Sequence, residues 1–220
     1  MKVALVHDWL VEMGPEEQCL RCLCELFPDA TLYTLFSNVT LPAIFSNREF
    51  RTTKLQNFPG IRSHYVYYLP LFPAIVEHLD LRGYDLVISN SRYVAKGVIT
   101  QPETCHVCIL HPAILQLWDY SGARLGGEAK RIRPFKYPFL ANYYRVWDVV
   151  ASQRVDYFIG ASHGLSQHIR KYYRREPSAC FDASIASTTL SAQLNLWIRQ
   201  LTTDYQKRQG TGFSGSDQLV

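Results

Sequence analysis

Short runs of apolar residues recur along the first 160 positions, and each is bounded by residues typical of turns. The runs are continuous rather than alternating, which is the pattern of strands in a parallel sheet that helices cover on both faces. The predicted strands are KVALVH (2–7), TLYTLF (31–36), YDLVIS (84–89), HVCIL (106–110) and VDYFIG (155–160). Helical apolar spacing lies between them, at about 16–27, 73–80, 137–152 and 163–173. This alternation predicts an α/β fold with a Rossmann-like, doubly wound parallel sheet.

The strand-and-helix pattern ends near Pro177. Residues 178–220 contain sixteen Ser, Thr or Gln in 43 positions, and the run AQLNLWIRQL within them favours one short helix. We expect the rest of this C-terminal tail to be irregular and mostly disordered. The predicted organisation is therefore one domain over residues 1–177 followed by a Ser/Thr/Gln-rich tail over 178–220.

The composition, 47% hydrophobic and 19% charged, is that of a globular protein, and a net charge of +4 does not by itself point to nucleic acid. The charge is unevenly distributed, because residues 122–145 carry six bases against the single acid Glu128, with aromatic residues interleaved. This stretch is either a solvated face or a peripheral membrane contact that binds lipid headgroups or acceptor phosphates. Neither a signal peptide nor a bilayer-spanning run is visible. We expect a cytoplasmic protein, with the inner face of the membrane as a peripheral location.

Two cysteine pairs have the spacing of zinc ligands, Cys19-x-x-Cys22 and Cys105-x-x-Cys108. The first pair lies on a predicted helix among leucines. The second lies in a predicted strand, where positions three apart face opposite sides. We therefore interpret the cysteines as reduced core residues and expect no metal site.

Candidate ligand-binding residues follow the predicted strands, because doubly wound folds bind ligands at the carboxyl ends of their strands. This rule places Gly14, Ser89–Ser91, His111 and Ala161–His163 on one rim. His111, directly before Pro112, is the candidate catalytic residue, since a neutral imidazole can orient a hydroxyl or share a proton near neutral pH.

Three further positions, His7, Asp8 and Ser162, allow both a structural and a functional interpretation. Asp8 can accept hydrogen bonds from loop N–H groups while His7 packs, or one of the two can contact a ligand. Ser162 is placed to cap a helix, whose first N–H groups are also suited to an anion.

The segment Gly14–Glu17 poses the same question. Ligand-binding turns at this place rely on glycine N–H groups, whereas here Gly14 is followed by Pro15, which has none, and by two glutamates. Proline at the first helical position and acids in the first turn favour a helix start.

Several segments together resemble one family. They are MKVALVHDWL (1–10), LPLFPAIVEHLDLRGYDLVISNSRYVAKGVIT (69–100), YYRVWDVVASQRVDYFIGAS (143–162) and IRKYYRRE (169–176). In order, over residues 1–177, they resemble the N-terminal half of family 4 glycosyltransferases, especially bacterial mannosyl- and rhamnosyltransferases of polysaccharide assembly. The strongest single segment is Tyr84–Thr100.

The resemblance implies one half of a GT-B fold, in which two Rossmann-like domains face each other across a cleft. It implies retaining transfer of a sugar to a glycan or lipid-linked acceptor, with a nucleotide-sugar as donor substrate and with no metal or other cofactor. The N-terminal domain then holds the sugar acceptor. By matching motif positions, His111 is catalytic, and Gly14, Glu17, Asp119 and Ser162 bind the acceptor.

Other motif positions depart from the family. Its G-M-G-G-A-E-K loop is Glu12–Gln18 here, without two of the glycines and the lysine. Its H-T-P-M-R-Y-x-W-D motif is His111–Asp119, with Leu115 in place of a basic residue, and only Ser162 remains of its N-S-R. Each lost charged hydrogen bond to a phosphate costs about 1.5–3 kcal/mol. The resemblance also leaves the C-terminal donor domain absent, and because that domain supplies the nucleotide-sugar contacts, we expect the chain to be inactive on its own.

Three functions stay open, and the sequence does not decide whether the chain is an enzyme. The first is the acceptor half of a glycosyltransferase, whose unrelated tail we attribute to a frameshift near Pro177. The second is a non-catalytic binding module or partner subunit, with the donor domain supplied by a separate chain. The third is a truncated product without function, which the rim substitutions favour over the second.

Overall fold

Seven parallel strands form a sheet in the computed structural model, which describes residues 1–38, 42–118, 137–182 and 185–211. The strands are β1 (Val3–His7), β2 (Thr31–Thr34), β3 (Phe50–Thr52), β4 (Leu86–Ser91), β5 (Cys105–Leu110), β6 (Tyr157–Gly160) and β7 (Ala179–Cys180). Their order across the sheet is β3-β2-β1-β4-β5-β6-β7, and every neighbouring pair is parallel. Helices flank the sheet, which confirms the predicted Rossmann-like α/β fold.

The direction of strand addition reverses between β1 and β4. From β1 the chain continues to β2 and β3 on one side, whereas β4 to β7 follow on the other side. In the register of the β1–β4 pair, His7 lies opposite Asn90. The carboxyl ends of β1 and β4 are therefore the switch point of the sheet, which is where doubly wound sheets bind ligands.

The helices include three long ones, of 12, 16 and 25 residues, and several short ones. They are α1 (Pro15–Leu26), α2 (Ala43–Ser46), α3 (Ile61–His64), α4 (Phe72–Glu77), α5 (Leu115–Trp118), α6 (Tyr137–Ser152), α7 (His163–His168) and α8 (Ser187–Thr211). Short 3-10 segments span Lys54–Asn57, Tyr65–Leu71, Ala95–Gly97 and Pro112–Ile114. A π-type turn, Ile169–Tyr173, continues α7. Over the described ranges, none of these helices is long and apolar enough to cross a bilayer.

Helix α1 begins in the way that its sequence favours. Gly14 is the N-cap, Pro15 takes the first helical position, and the Glu17 carboxylate accepts the Gly14 N–H at 2.7 Å. This capping box satisfies one of the amide groups that every helix start leaves without an intrahelical partner. Leu20 and Leu23 on the inner face are completely buried against the sheet.

The five predicted strands are confirmed as β1, β2, β4, β5 and β6, whereas β3 and β7 are not predicted. Those two strands lie at opposite edges of the sheet and have three and two residues. All positions of β1, β4 and β5 are buried, but none in β3 is fully buried. An edge strand without a continuous apolar run leaves no pattern to recognise.

The C-terminal tail differs from its expected form of one short helix in a mostly disordered segment. Helix α8 has 25 residues, and Leu190, Leu194 and Ile198 form one buried stripe at spacings of four. The helix packs against α1, and the Tyr205 hydroxyl donates to the Pro102 carbonyl at 2.6 Å. The many Ser, Thr and Gln residues hid this stripe in the sequence.

The cysteines occupy the positions of core residues. Five of the six are buried, namely Cys19, Cys22, Cys24, Cys105 and Cys108. Burial raises the pKa of Cys105 and of Cys108 to about 12, so both thiols stay protonated and unreactive at neutral pH. The interpretation of these five as core residues is confirmed.

A buried ion pair fastens α6 to the loop after β4. Lys96 Nζ lies 2.5 Å from Asp148 Oδ1, and both side chains are fully buried. The Tyr173 hydroxyl and the Trp118 indole N–H each donate to Asp148 at 3.0 Å. Because breaking a buried pair leaves an uncompensated charge, this network fixes α5, α6 and the π-type turn relative to one another.

We predict that the tail contributes to stability through its buried stripe. Leu194→Ala removes a completely buried side chain and should lower the free energy of unfolding by about 2–5 kcal/mol. Leu196→Ala, at a position on the same helix that is 56% exposed, should change it by less than about 0.5 kcal/mol. Urea unfolding measures both variants, and equal effects would contradict the packing of α8.

Candidate functional site

Polar side chains from three strand ends and from α1 meet at the switch point between β1 and β4. We call His7, Gly14, Glu17, Asn90 and His111 the rim cluster. Its four side chains are at most 3% exposed, so their hydrogen bonds form in a medium where an unpaired polar group is costly. Three positions named from the resemblance, His111, Gly14 and Glu17, are thus brought together.

The side-chain amide of Asn90 connects the cluster. One end of the amide lies 2.9 Å from the Glu16 carbonyl oxygen, and because a carbonyl only accepts, that end is the nitrogen Nδ2. The same nitrogen is 3.0 Å from His7 Nδ1, and Oδ1 is 2.7 Å from His111 Nε2. The backbone of α1 therefore sets the orientation of the amide.

Asn90 in turn selects the tautomer of His111. Since the amide oxygen accepts, Nε2 of His111 carries the hydrogen and Nδ1 keeps its lone pair. Burial, with His7 nearby, lowers the pKa of His111 to about 3, so the ring is neutral at physiological pH. No residue in the described ranges hydrogen-bonds to Nδ1, which is an acceptor suited to a hydroxyl group.

His7 and Glu17 extend the cluster to the start of α1. Nε2 of His7 donates to Glu17 Oε1 at 3.3 Å, because a carboxylate oxygen only accepts. In the neutral ring Nδ1 then accepts from Asn90 Nδ2 at 3.0 Å, whereas in the protonated ring it donates to the backbone carbonyl of Asn90 at 3.2 Å. The other oxygen of Glu17 accepts the Gly14 N–H at 2.7 Å. Burial alone would raise the pKa of Glu17, but the bond and charge of His7, with the Gly14 N–H, hold it below its usual value.

When His7 is neutral, the hydrogen bonds of the cluster all run in one direction. His111 donates to Asn90, Asn90 donates to His7, and His7 donates to the Glu17 carboxylate. Each donor polarises the next, and the chain ends on a negative charge. The Gly14 N–H and Glu17, which the resemblance assigns to the acceptor, are thereby engaged within the protein.

Asp8 fills the concave turn that follows β4. Its carboxylate accepts the backbone N–H groups of the four residues Arg92–Ala95 at 2.5–3.0 Å. Such a ring of N–H groups is a common anion site, and here a protein carboxylate occupies it. The structural interpretation of Asp8 is confirmed, whereas His7 joins the rim cluster.

Arg92 supplies positive charge beside His111. Its charge contributes to the low pKa of His111, and its guanidinium carbon lies 5.8 Å from the centroid of the Tyr93 ring. Within the described part of the chain, the buried Nε atom of Arg92 has no hydrogen-bond partner. The rim thus has a guanidinium even though Leu115 stands where the family has a basic residue.

The remaining predicted positions lie apart from the cluster or outside the described residues. Ser162 caps α7, since its Oγ accepts the Leu165 N–H at 3.3 Å. As far as the chain is described, no hydrogen bond joins Ser162 to the rim cluster. Trp118 belongs to the buried Asp148 network. Asp119 lies outside the described residues.

Sequence reasoning did not identify Asn90 as a site residue. The rim prediction included it only within Ser89–Ser91, and its role depends on His7 and Glu16, which are more than 70 positions away. The available signal was three consecutive polar residues at the end of an otherwise apolar strand.

Another concave surface lies away from this site. A cleft of about 550 Å³ is lined by Met1, Lys2, Phe27 and Asp29, among others, at the amino end of the sheet. Because doubly wound folds bind ligands at the opposite end of their strands, the rim cluster remains the candidate functional site.

Neither a model of a known protein family nor a curated protein matches this chain. In the described ranges, no group of three or more His, Cys, Asp or Glu side chains is arranged to hold a metal ion. The candidate chemistry of the site therefore depends on the residues of the rim cluster.

We predict that stability falls in mild acid. Burial lowers the pKa of His111 to about 3 and that of His106 and His168 to about 4, whereas unfolded histidine titrates near 6.5. From about pH 6.5 down to about pH 4, the unfolded state therefore binds more protons than the folded state. The free energy of unfolding then decreases by up to roughly 1.4 kcal/mol per pH unit for each histidine.

Urea unfolding near pH 7 and near pH 5 tests this dependence. A free energy of unfolding that stays constant across this window would contradict the neutral, buried state of these histidines.

Asn90→Asp should raise the pKa of His111. A carboxylate 2.7 Å from Nε2 favours the charged imidazole, by about one to three pH units. NMR titration of the His111 ring measures the shift.

Asn142→Asp is the matched control, because Asn142 is exposed on α6 and the same charge change there should leave the pKa of His111 in place. An unchanged pKa in Asn90→Asp would contradict the described contact between the two side chains.

Proposed function

We propose that the rim cluster binds a hydroxyl group of a sugar acceptor, either a glycan or a lipid-linked saccharide. The domain would serve as the acceptor-binding half of a retaining glycosyltransferase that uses a nucleotide-sugar donor. The observation that carries the proposal is the neutral His111, held by Asn90 with Nδ1 as a hydrogen-bond acceptor at the switch point of the sheet.

A hydroxyl that donates to Nδ1 would complete the directed chain that ends on Glu17. Hydrogen bonds in such a chain strengthen one another, so binding at His111 gains from every bond behind it. The hydroxyl oxygen keeps its lone pairs for contact with a cation, and we propose Arg92, whose charge acts on His111, as that cation.

The same chemistry limits what His111 does. With a pKa of about 3 the ring is a poor base, whereas an effective general base has a pKa near the working pH. We therefore propose that His111 orients the acceptor hydroxyl and does not take its proton.

The proposed reaction comes from the resemblance to family 4 glycosyltransferases. The rim positions that differ from the family motifs limit the proposed activity of this chain. In the family the nucleotide-sugar lies mainly on a second domain, so acceptor binding is the step that the described residues can support. We propose that this chain alone binds the acceptor and does not transfer sugar.

Binding of simple glycosides tests the proposal. Methyl α-mannoside and methyl α-rhamnoside are titrated while the His111 ring signals are followed by NMR. We expect weak, saturable shifts of the His111 ring signals and of the backbone amide signals of the rim cluster. The amide shifts should be abolished in His111→Phe and weakened in Arg92→Leu. His78→Phe, at an exposed position on another face, is the matched control and should bind as the original chain does.

Two results would contradict the proposal. Identical glycoside binding by His111→Phe would remove His111 from the site. Release of nucleotide from a nucleotide-sugar by the purified chain would overturn the restriction to acceptor binding.

A further inference from the structure

The two residues that follow His7 contact the segment that carries Arg92. His7 itself belongs to the rim cluster, whereas Asp8 and Trp9 contact residues directly after β4. Asp8 is 1% exposed and Trp9 is 5% exposed, so closely packed neighbours restrict both side chains. The end of β1 therefore supports both groups of the proposed site, the imidazole of His111 and the guanidinium of Arg92.

Opposite charges hold the backbone at Arg92 from two sides. The Asp8 carboxylate accepts the four N–H groups of Arg92–Ala95 at 2.5–3.0 Å. The Lys96 ammonium donates to the carbonyl of Tyr93, within the same turn, at 2.7 Å. Hydrogen bonds to charged groups are about twice as strong as those between neutral groups. The turn, and with it the direction in which the Arg92 side chain leaves the backbone, is therefore fixed.

A row of stacked rings leads to the other end of the Arg92 side chain. Trp9 stacks on Phe36, with ring centroids 5.9 Å apart and an interplanar angle of 9°, and on Tyr93, at 5.7 Å and 14°. The guanidinium carbon of Arg92 lies 5.8 Å from the centroid of the Tyr93 ring, which is within the range of a cation–π contact. The guanidinium is thus the last member of a row that begins in the core.

A guanidinium held in this way is suited to bind an oxygen atom of a ligand. Arg92 is partly exposed, although its Nε atom is buried. Ordering a long side chain on binding normally reduces affinity, and a side chain that is already held avoids much of this loss. Most of the basic stretch 122–145, the predicted peripheral contact, lies outside the described residues, whereas Arg92 is a described cation whose charge acts on His111.

We propose that Asp8 and Tyr93 are positioning residues, which hold the guanidinium of Arg92 where an oxygen atom of the saccharide accepts its hydrogen bond. Asp8 fixes the backbone of Arg92, and the Tyr93 ring, supported by Trp9, fixes the guanidinium. The identity of the ligand rests on the proposed function, whereas the position of Arg92 is measured without any ligand.

NMR of the Arg92 side chain tests the inference in the unliganded protein. The Nε–H signal of Arg92 is the one that disappears in Arg92→Leu, and because Nε is buried we expect its hydrogen to exchange slowly with water. Tyr93→Leu removes the ring and should accelerate this exchange about two- to fivefold. Tyr93→Phe keeps the ring and should leave the exchange rate unchanged.

Asp8→Asn tests the support of the backbone. An amide offers one acceptor oxygen in place of two, so part of the set of four N–H groups loses its acceptor. We expect the Nε–H of Arg92 to exchange faster in this variant as well.

Glycoside binding tests the consequence for the site. Methyl α-mannoside is titrated while the backbone amide signals of the rim cluster are followed. Tyr93→Leu should raise the Kd about two- to fivefold in a chain that has Arg92, and less than about 1.5-fold in Arg92→Leu. A residue that only stabilises the fold would have the same effect in both backgrounds, so this double-mutant cycle isolates the positioning role.

Tyr143→Leu is the matched control, because Tyr143 is exposed on α6. It should change neither the exchange at Arg92 nor the Kd, and unfolding midpoints confirm that each variant folds. Tyr93→Met, whose flexible side chain fills space without a ring, replaces Tyr93→Leu if that variant does not fold.

Three outcomes would overturn the inference. They are unchanged exchange at Arg92 Nε in Tyr93→Leu and in Asp8→Asn, equal exchange rates in Tyr93→Phe and Tyr93→Leu, and additive effects of Tyr93→Leu and Arg92→Leu on the Kd. If the original chain binds no glycoside, the proposed function fails, while the exchange rates still decide whether Asp8 and Tyr93 position Arg92.

Discussion

The side-chain amide of Asn90 joins three parts of the chain that are distant in sequence. It donates to the Glu16 carbonyl and to His7, and it accepts from His111. The Glu16 carbonyl removes the ambiguity of an amide, whose two ends are otherwise interchangeable. If the amide were reversed, its oxygen would face the Glu16 carbonyl oxygen, and a buried polar group without a partner costs about 1–3 kcal/mol. The tautomer of His111 therefore depends on where α1 begins.

This dependence gives the helix start two roles. Gly14 and Glu17 form a capping box, and the same carboxylate ends the hydrogen-bond chain that begins at His111. A helix start and a ligand loop are alternatives in the sequence, yet the structure combines a helix start with hydrogen bonds that lead to His111, the residue that we propose to bind a hydroxyl group. Pro15 offers a ligand no backbone N–H in this loop, while the polar chain behind His111 is intact.

The central strands were predictable because buried parallel strands have continuous apolar sequences, as in β1, β4 and β5. The edge strands and α8 could not be predicted in this way. Strand β3 is partly exposed, and polar residues separate the apolar residues of α8. For the site, strand ends located His111 and the capping pattern located Gly14 and Glu17. Asn90 was missed because its partners are set by strand register, and sequence periodicity carries no information about which strands become neighbours.

The proposed hydroxyl site depends on the protonation state of the His111 ring. Long-range proton–nitrogen NMR of His111 in the unliganded protein near neutral pH tests it most directly, because it distinguishes the two neutral tautomers from the imidazolium. The account predicts a neutral ring with its hydrogen on Nε2 and a lone pair on Nδ1. A hydrogen on Nδ1, or a charged ring, would contradict both the role of Asn90 and the proposed hydroxyl site.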